Sequence, residues 1–140
     1  MRPLEGIKVL DLSRVLAGPF AGRILHDLGA EVVKVEPPEG DVTRNWGKVR
    51  AGLAGYYTQQ NAGKRNICID LRAEGGAELI RRLAAEADVL IENFRPGIMK
   101  KFGLAYEDLR SMNEKLVMLS ISGFGQEGPE SGRAAYAPIL

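Results

Sequence analysis

The sequence predicts an α/β fold: a Rossmann-like, mostly parallel sheet with helices on both faces. Three observations carry this expectation. Short apolar runs at residues 7–12, 31–36 and 89–91 have the length and composition of buried strands. Stretches with helical spacing separate them, and strands alternating with helices build right-handed crossover units. Several runs break at their carboxyl ends into glycine, proline, asparagine or charge, which is where open α/β sheets hold ligands.

Taken in order, residues 7–12 form a first strand and residues 13–18 a turn. Pro19 suits the first turn of a helix, where its missing N–H is not needed. Phe20, Ile24, Leu25 and Leu28 then recur at helical spacing, and Gly29 ends the helix in the left-handed conformation. Residues 31–36 form a second strand, stopped by Pro37 and Pro38. No period is legible across residues 42–60; Trp46 has no periodic partners, while Tyr56 and Tyr57 belong near a helix feeding the next strand. Residues 61–65 predict a loop carrying two adjacent cations, Lys64 and Arg65. Residues 66–71 form a third strand with Ile67 and Ile69 on one face. Cys68 points to the other face and reads as a small buried hydrophobe rather than a nucleophile.

Residues 74–87 predict a helix with Leu79, Ile80, Leu83 and Ala87 on one side and Glu78, Arg82 and Glu86 toward water. Glu78 and Arg82 make an i,i+4 pair in the favourable order, worth a few tenths of a kcal/mol. The fourth strand, residues 89–91, breaks into Glu92-Asn93-Phe94-Arg95. Pro96 and Gly97 force a turn, and residues 98–101 start a short helix. A second short helix at residues 106–112 precedes a fifth strand at 116–121 and a glycine-rich loop at 122–129. Residues 134–140 read as the opening of a further element. Residues 1–140 are therefore expected to be a single, truncated domain whose strand order the sequence does not disclose.

The chain has 140 residues, enough for one core. A net charge of +1 argues against a nucleic-acid or membrane-surface footprint. With a single cysteine, Cys68, and a single histidine, His26, the sequence holds no internal disulfide and no Cys- or His-rich metal site, so no metal is expected. His26, in mid-helix, reads as a surface or packed residue. No apolar run approaches the ~20 residues that span a bilayer, and the opening leads straight into a strand, so a cytoplasmic protein is expected.

The loops match some known chemistries poorly and one better. A dinucleotide site asks for G-x-G-x-x-G after the first strand. Only Gly18 is present there, and Pro19 removes an N–H that a pyrophosphate would use. Glu36 stands where a ribose-binding acid would stand, and a solvated strand-end residue fits it equally. No G-x-S-x-G elbow and no acid/base pair of carboxylates is visible. The loops do share cations: Lys64, Arg65, Arg72, Arg95, Lys100 and Lys101 flank strand ends or nearby turns, a spread that matches several phosphates. Phe94 and Leu16 add apolar contact. Asn93 and Phe94 read equally well as turn-closing and packing residues.

Four stretches carry a resemblance: Leu4-Glu-Gly-Ile-Lys-Val-Leu-Asp-Leu-Ser13 with Ala17-Gly-Pro-Phe20; Leu28-Gly-Ala-Glu-Val-Val-Lys-Val-Glu-Pro37; Gly63-Lys-Arg-Asn-Ile-Cys-Ile-Asp-Leu-Arg72; and Ala87-Asp-Val-Leu-Ile-Glu-Asn-Phe-Arg-Pro-Gly97. With Ser122-Gly-Phe-Gly-Gln-Glu-Gly-Pro129, this ordered set resembles the N-terminal portion of class III CoA-transferases, the family of formyl-CoA transferase, carnitine CoA-transferase and α-methylacyl-CoA racemase. The resemblance implies a large domain that binds coenzyme A, with an acyl-CoA and a carboxylic acid as substrates and an interlocked homodimer as the assembly. It implies CoA contacts at Leu16, Ala17, Pro37, Ile69, Asp70, Leu71 and Arg72, then at Asn93, Phe94, Arg95 and Lys101, and last at Ala134 and Tyr136. Family members often carry a basic residue at the Pro37 and Ala134 positions, and Arg133 stands beside the latter.

The family nucleophile is an aspartate that matches none of the aspartates here and falls beyond Leu140, so no catalytic residue is assigned within the chain. A racemase of this family would carry histidine and aspartate where this sequence has Tyr136 and Ala137. Tyrosine is a poor base at neutral pH, so transferase is preferred. A non-catalytic CoA- or nucleotide-binding module and, less well supported, a dinucleotide-dependent oxidoreductase domain are the other readings.

Overall fold

The structure, a computed structural model, describes residues 1–135. The elements in order are β1 (Lys8–Asp11), α1 (Ala17–Asp27), β2 (Glu31–Glu36), a 3-10 turn (Val42–Asn45), β3 (Val49–Arg50), β4 (Leu53–Ala54), α2 (Gly55–Asn61), β5 (Arg65–Cys68), α3 (Gly76–Ala85), β6 (Val89–Glu92), α4 (Ile98–Lys101), α5 (Tyr106–Arg110) and β7 (Val117–Ser120). β3 and β4 are a small antiparallel hairpin; with the 3-10 turn and α2 they fill the stretch where no period was legible.

The other five strands form one parallel sheet in the order β5-β2-β1-β6-β7. The chain winds outward from β1 through β2 to β5, then returns to the far side of β1 with β6. The carboxyl ends of β1 and β6 therefore flank the topological switch point, the position at which such sheets open a crevice.

Two apolar layers hold the sheet. On one face Leu10, Val35 and Leu90 pack against Ile80 and Ala84 of α3 and against Met99, Leu104 and Leu109. On the other, Val9, Val32 and Ile91 pack with Leu25 of α1. The alternation follows from the period of two along a strand.

Three side-chain expectations are corrected here. α3 buries Gly76, Ile80 and Ala84, while Leu79 and Leu83 remain 47% and 37% exposed. A Cβ at position 76 would lie 2.1 Å from the Asp70 carbonyl oxygen. The helix thus approaches the sheet through its small residues and turns the two leucines to its flanks. Its ion pair joins Glu78 to Arg81 at 3.1 Å rather than to Arg82, and Arg81 also donates to the Gly103 carbonyl. Cys68 is exposed rather than buried, because β5 is the outermost strand and that side of it is left uncovered.

α1 behaves as α3 does. Gly18, Pro19 and Gly22 are buried, and Phe20, Ile24 and Leu28 form an open apolar stripe. His26 is partly buried, with Nδ1 3.3 Å from the Ala30 carbonyl oxygen. Among the described residues no helix is long and apolar enough to cross a membrane.

Candidate ligand groove at the carboxyl edge of the sheet

In the loop after β1, five backbone groups of residues 13–15 are held by side chains. The Ser13 N–H donates to Asp11 Oδ1 at 2.9 Å, and the Ser13 carbonyl accepts from Lys34 Nζ at 2.7 Å. The Arg14 N–H donates to Asn93 Oδ1 and the Arg14 carbonyl accepts from Asn93 Nδ2, both at 2.7 Å. The Val15 N–H donates to Asp41 Oδ2 at 3.1 Å. Val15 sits at φ +69°, a conformation that a β-branched residue adopts only under constraint, at a cost of about 1–3 kcal/mol. Gly18 lets α1 close onto this loop: a Cβ there would lie 2.1 Å from the Ser13 Cβ and 3.5 Å from the Asn93 amide carbon.

Beneath the loop lie two buried ion pairs, Lys64–Asp11 at 2.8 Å and Lys34–Asp41 at 3.3 Å, with every side chain at most 1% exposed. Burial pushes the Lys64 ammonium below its ordinary range, and Asp11 opposes that push. The Asp41 carboxyl feels the upward push of burial, outweighed by hydrogen bonds from Thr43, the charge of Lys34 and the Val15 N–H, and ends below the usual range. This placement corrects the reading of Lys64 as a loop cation for a ligand. Arg65 is removed from the ligand set too, since it pairs with Glu31 at the amino end of the sheet.

Glu36 lines the groove, and it is not a solvated strand end, because its carboxylate is engaged within the fold. It is 4% exposed and accepts from Arg44 Nε at 2.6 Å and Nη2 at 2.9 Å, from the Asp41 N–H at 2.8 Å, and from Tyr57 and Asn66. Burial alone would raise its pKa; Arg44 first, then Tyr57, Asp41 and Asn66, hold it down at about 2. The same burial and the Glu36 charge push the Tyr57 phenol well above its ordinary range. Glu36 thereby ties β2 to the 3-10 turn and α2 from within the groove lining.

Glu92, at the end of β6, is also buried. Burial raises its pKa, against a hydrogen bond from Ser120 and the Phe94 N–H, which donates to Glu92 Oε2 at 2.8 Å. That bond sets the turn from which Asn93 and Phe94 project.

On the α3/α4 side of this rim a groove of about 390 Å³ opens over the ends of β1, β2, β5 and β6. Leu12, Val35, Ile69, Leu71, Phe94 and Phe102 are among its apolar lining; Arg14, Arg72 and Arg95 are its cations. Size and lining suit part of a small-molecule ligand. Arg72 is engaged, bound to Asp70 at 2.9 Å and 3.4 Å from Glu39. The Arg72 hydrogen bonds lower the Asp70 pKa, and Asp70 raises that of Arg72. Among the described residues Arg14 and Arg95 have no carboxylate partner, as the ion pairs show.

Of the residues singled out from the sequence, Pro37, Ile69, Asp70, Leu71, Arg72, Phe94 and Arg95 line the groove. Asn93 stands behind the wall as the clamp on Arg14. Leu16 and Ala17 are exposed at the start of α1, Lys101 is exposed on α4, and Ala134 is partly buried in the final loop; none of the four lines the groove. Tyr136 lies outside the described residues. Sequence reasoning missed Arg14, although it lies just past the first strand and the strand-end rule applied to it as well as to Arg95.

Fold and groove together define an α/β segment with a ligand-sized cleft at the carboxyl edge of a parallel sheet. The chain belongs to CoA-transferase family III, whose sequence profile matches residues 4–140. It is 51% identical to the succinate–glutarate CoA-transferase of Agrobacterium fabrum, over 99% of this chain and 36% of that protein. It is 48% identical to the human succinyl-CoA:glutarate CoA-transferase, over 99% of this chain and 32% of that one. A crystal structure of a CAIB/BAIF family protein from Brucella suis superposes with a TM-score of 0.91 at 53% identity, covering 96% of this chain and 37% of its own. The chain thus spans about a third of the length of the curated relatives it matches.

Proposed function

We propose that this segment holds the CoA moiety for an acyl-CoA:carboxylate CoA-transferase whose remaining parts lie in further polypeptide. What supports the reading is the groove: in a family III chain, its wall collects Pro37, Ile69 to Arg72, Phe94 and Arg95. Apolar surface suits adenine and the pantetheine arm, and arginines suit phosphate oxygens. Asn93, Leu16, Ala17, Lys101, Ala134 and Tyr136 complete the proposed contacts, with Asn93 contributing through its clamp on Arg14.

In the proposed reaction an aspartate carboxylate, supplied from outside this segment, attacks the donor thioester carbonyl. CoA thiolate leaves and an acyl-aspartyl anhydride forms. The thiolate attacks the aspartyl carbonyl, which releases the donor acid and leaves an aspartyl-CoA thioester. The acceptor carboxylate then repeats the two steps in reverse. Splitting the transfer in this way is covalent catalysis. Segment 1–140 binds and orients CoA throughout and contributes no nucleophile.

The test is turnover of succinyl-CoA with glutarate, donor and acceptor classes drawn from the relatives' names. Transfer is expected from the longer polypeptide and none from residues 1–140 alone. Turnover by the 140-residue chain would refute the external nucleophile. We further propose an interlocked homodimer in the cytoplasm; the open stripe of Phe20, Ile24 and Leu28 supports an apolar association there. Sedimentation of the longer polypeptide is expected to give a dimer, and a monomer at micromolar concentration would remove that part of the proposal.

A further inference from the structure

The geometry points to Arg14 as the residue that reads an anionic group of the thioester substrate, presented to the groove by a pre-formed clamp. The inference rests on the CoA reading above and adds to it a specificity-determining residue.

Two observations carry it. Arg14 lines the groove and, unlike Arg72, has no carboxylate partner among the described residues. Its guanidinium is thus available to oxygen acceptors of a ligand, whereas Nε and Nη2 of Arg72 are already engaged by Asp70 and Glu39.

The second observation is the clamp. Five hydrogen bonds from four side chains, those of Asp11, Lys34, Asn93 and Asp41, fix the backbone of Ser13, Arg14 and Val15. Both backbone polar groups of Arg14 go to one amide, that of Asn93, which arrives from the far side of the switch point. The Val15 N–H is held by Asp41, and Val15 itself has a positive φ. A surface arginine that only carried charge would need none of this. Fixing the backbone beneath a long side chain lowers the ordering cost of binding, which is how a recognition residue gains selectivity.

The anion has two sources with the same chemistry: a CoA phosphate, or the free carboxylate of a dicarboxylic acyl group. Arg14→Gln and Arg14→Lys in the longer polypeptide, with unaltered melting temperature as the folding control, separate them. Affinity is measured by titration with CoA and dephospho-CoA, and kcat/KM with succinyl-CoA and acetyl-CoA.

Arg14→Gln is expected to weaken one of these ligands by about tenfold or more, the usual worth of a charged hydrogen bond. Arg14→Lys should recover part of the loss, because it keeps the charge without the fork. A loss with CoA but not dephospho-CoA assigns the 3′-phosphate, an equal loss with both assigns the pyrophosphate, and a loss confined to succinyl-CoA assigns the acyl carboxylate. All four ligands within twofold of the unaltered protein would overturn the inference while leaving the CoA reading intact. Absence of CoA binding by the unaltered protein would take down both.

Discussion

Truncating Lys64 to alanine is expected to lower folding stability by about 3–5 kcal/mol, the usual result of stripping one partner from a buried pair. The remaining Asp11 carboxylate would lie wholly buried without its cation. Lys64 also donates to the Pro19 carbonyl at 2.8 Å and to Asn61 Oδ1 at 2.9 Å, so α1 and α2 lose their shared tether as well. Helix α1 packs directly on the carboxylate, since a Cβ on Gly22 would lie 2.7 Å from Asp11 Oδ2. Urea unfolding followed by circular dichroism measures the loss. The double change Asp11→Asn with Lys64→Met should recover most of it, since removing both charges removes the unpaired one. A loss below about 1 kcal/mol for Lys64→Ala would mean that the pair does not hold the loop.

The second large effect is a pH dependence centred on Glu36. Its carboxyl falls from an ordinary 4.5 to about 2 in the fold, so the folded state binds its proton less readily than the unfolded state. A depressed carboxylate contributes stability that is fully present above pH 4.5 and is lost as pH falls toward 2. At 1.36 kcal/mol per pH unit the contribution is about 3 kcal/mol. The Glu36→Gln variant is expected to be less stable at pH 7, with the gap to the unaltered protein closing between pH 4.5 and 2. Melting temperatures taken across that range check it; a constant gap would show that the Arg44 and Tyr57 contacts act without charge. Asp41, also held below its ordinary range, adds acid sensitivity to both proteins and cancels from the comparison.

Both effects lie in polar clusters that local sequence patterns do not reveal. Strand β2 was legible to the residue because an apolar run bounded by Gly29 and Pro37 admits one reading. The 3-10 turn and the β3–β4 hairpin were not, since elements of four and two residues have no room for a period. α1 and α3 were found, and Leu25, Ile80 and Ala87 do face the core, yet the rest of each expected buried face is exposed. Hydrophobicity favoured the leucines and Phe20, whereas close approach to the sheet is controlled by Gly76, Ala84, Gly18 and Gly22. The groove was legible from local strand-end chemistry at Arg72, Phe94 and Arg95, whereas Pro37 and Ile69 to Leu71 were indicated only by the family resemblance.

The sequence by itself determined the alternation of strands and helices, the strand-end residues Arg72, Phe94 and Arg95 and, through its ordered motifs, the family. Those are properties of residues within a few positions of one another. Only the tertiary structure decided the strand order, the removal of Lys64 from the ligand set, the engagement of Glu36 within the fold, and the framing of Arg14. The reason is distance along the chain: Lys64 meets Asp11 across 53 residues and Asn93 meets Arg14 across 79. Whether a charged side chain faces solvent, a ligand or an opposite charge is settled by which remote segment the fold brings against it.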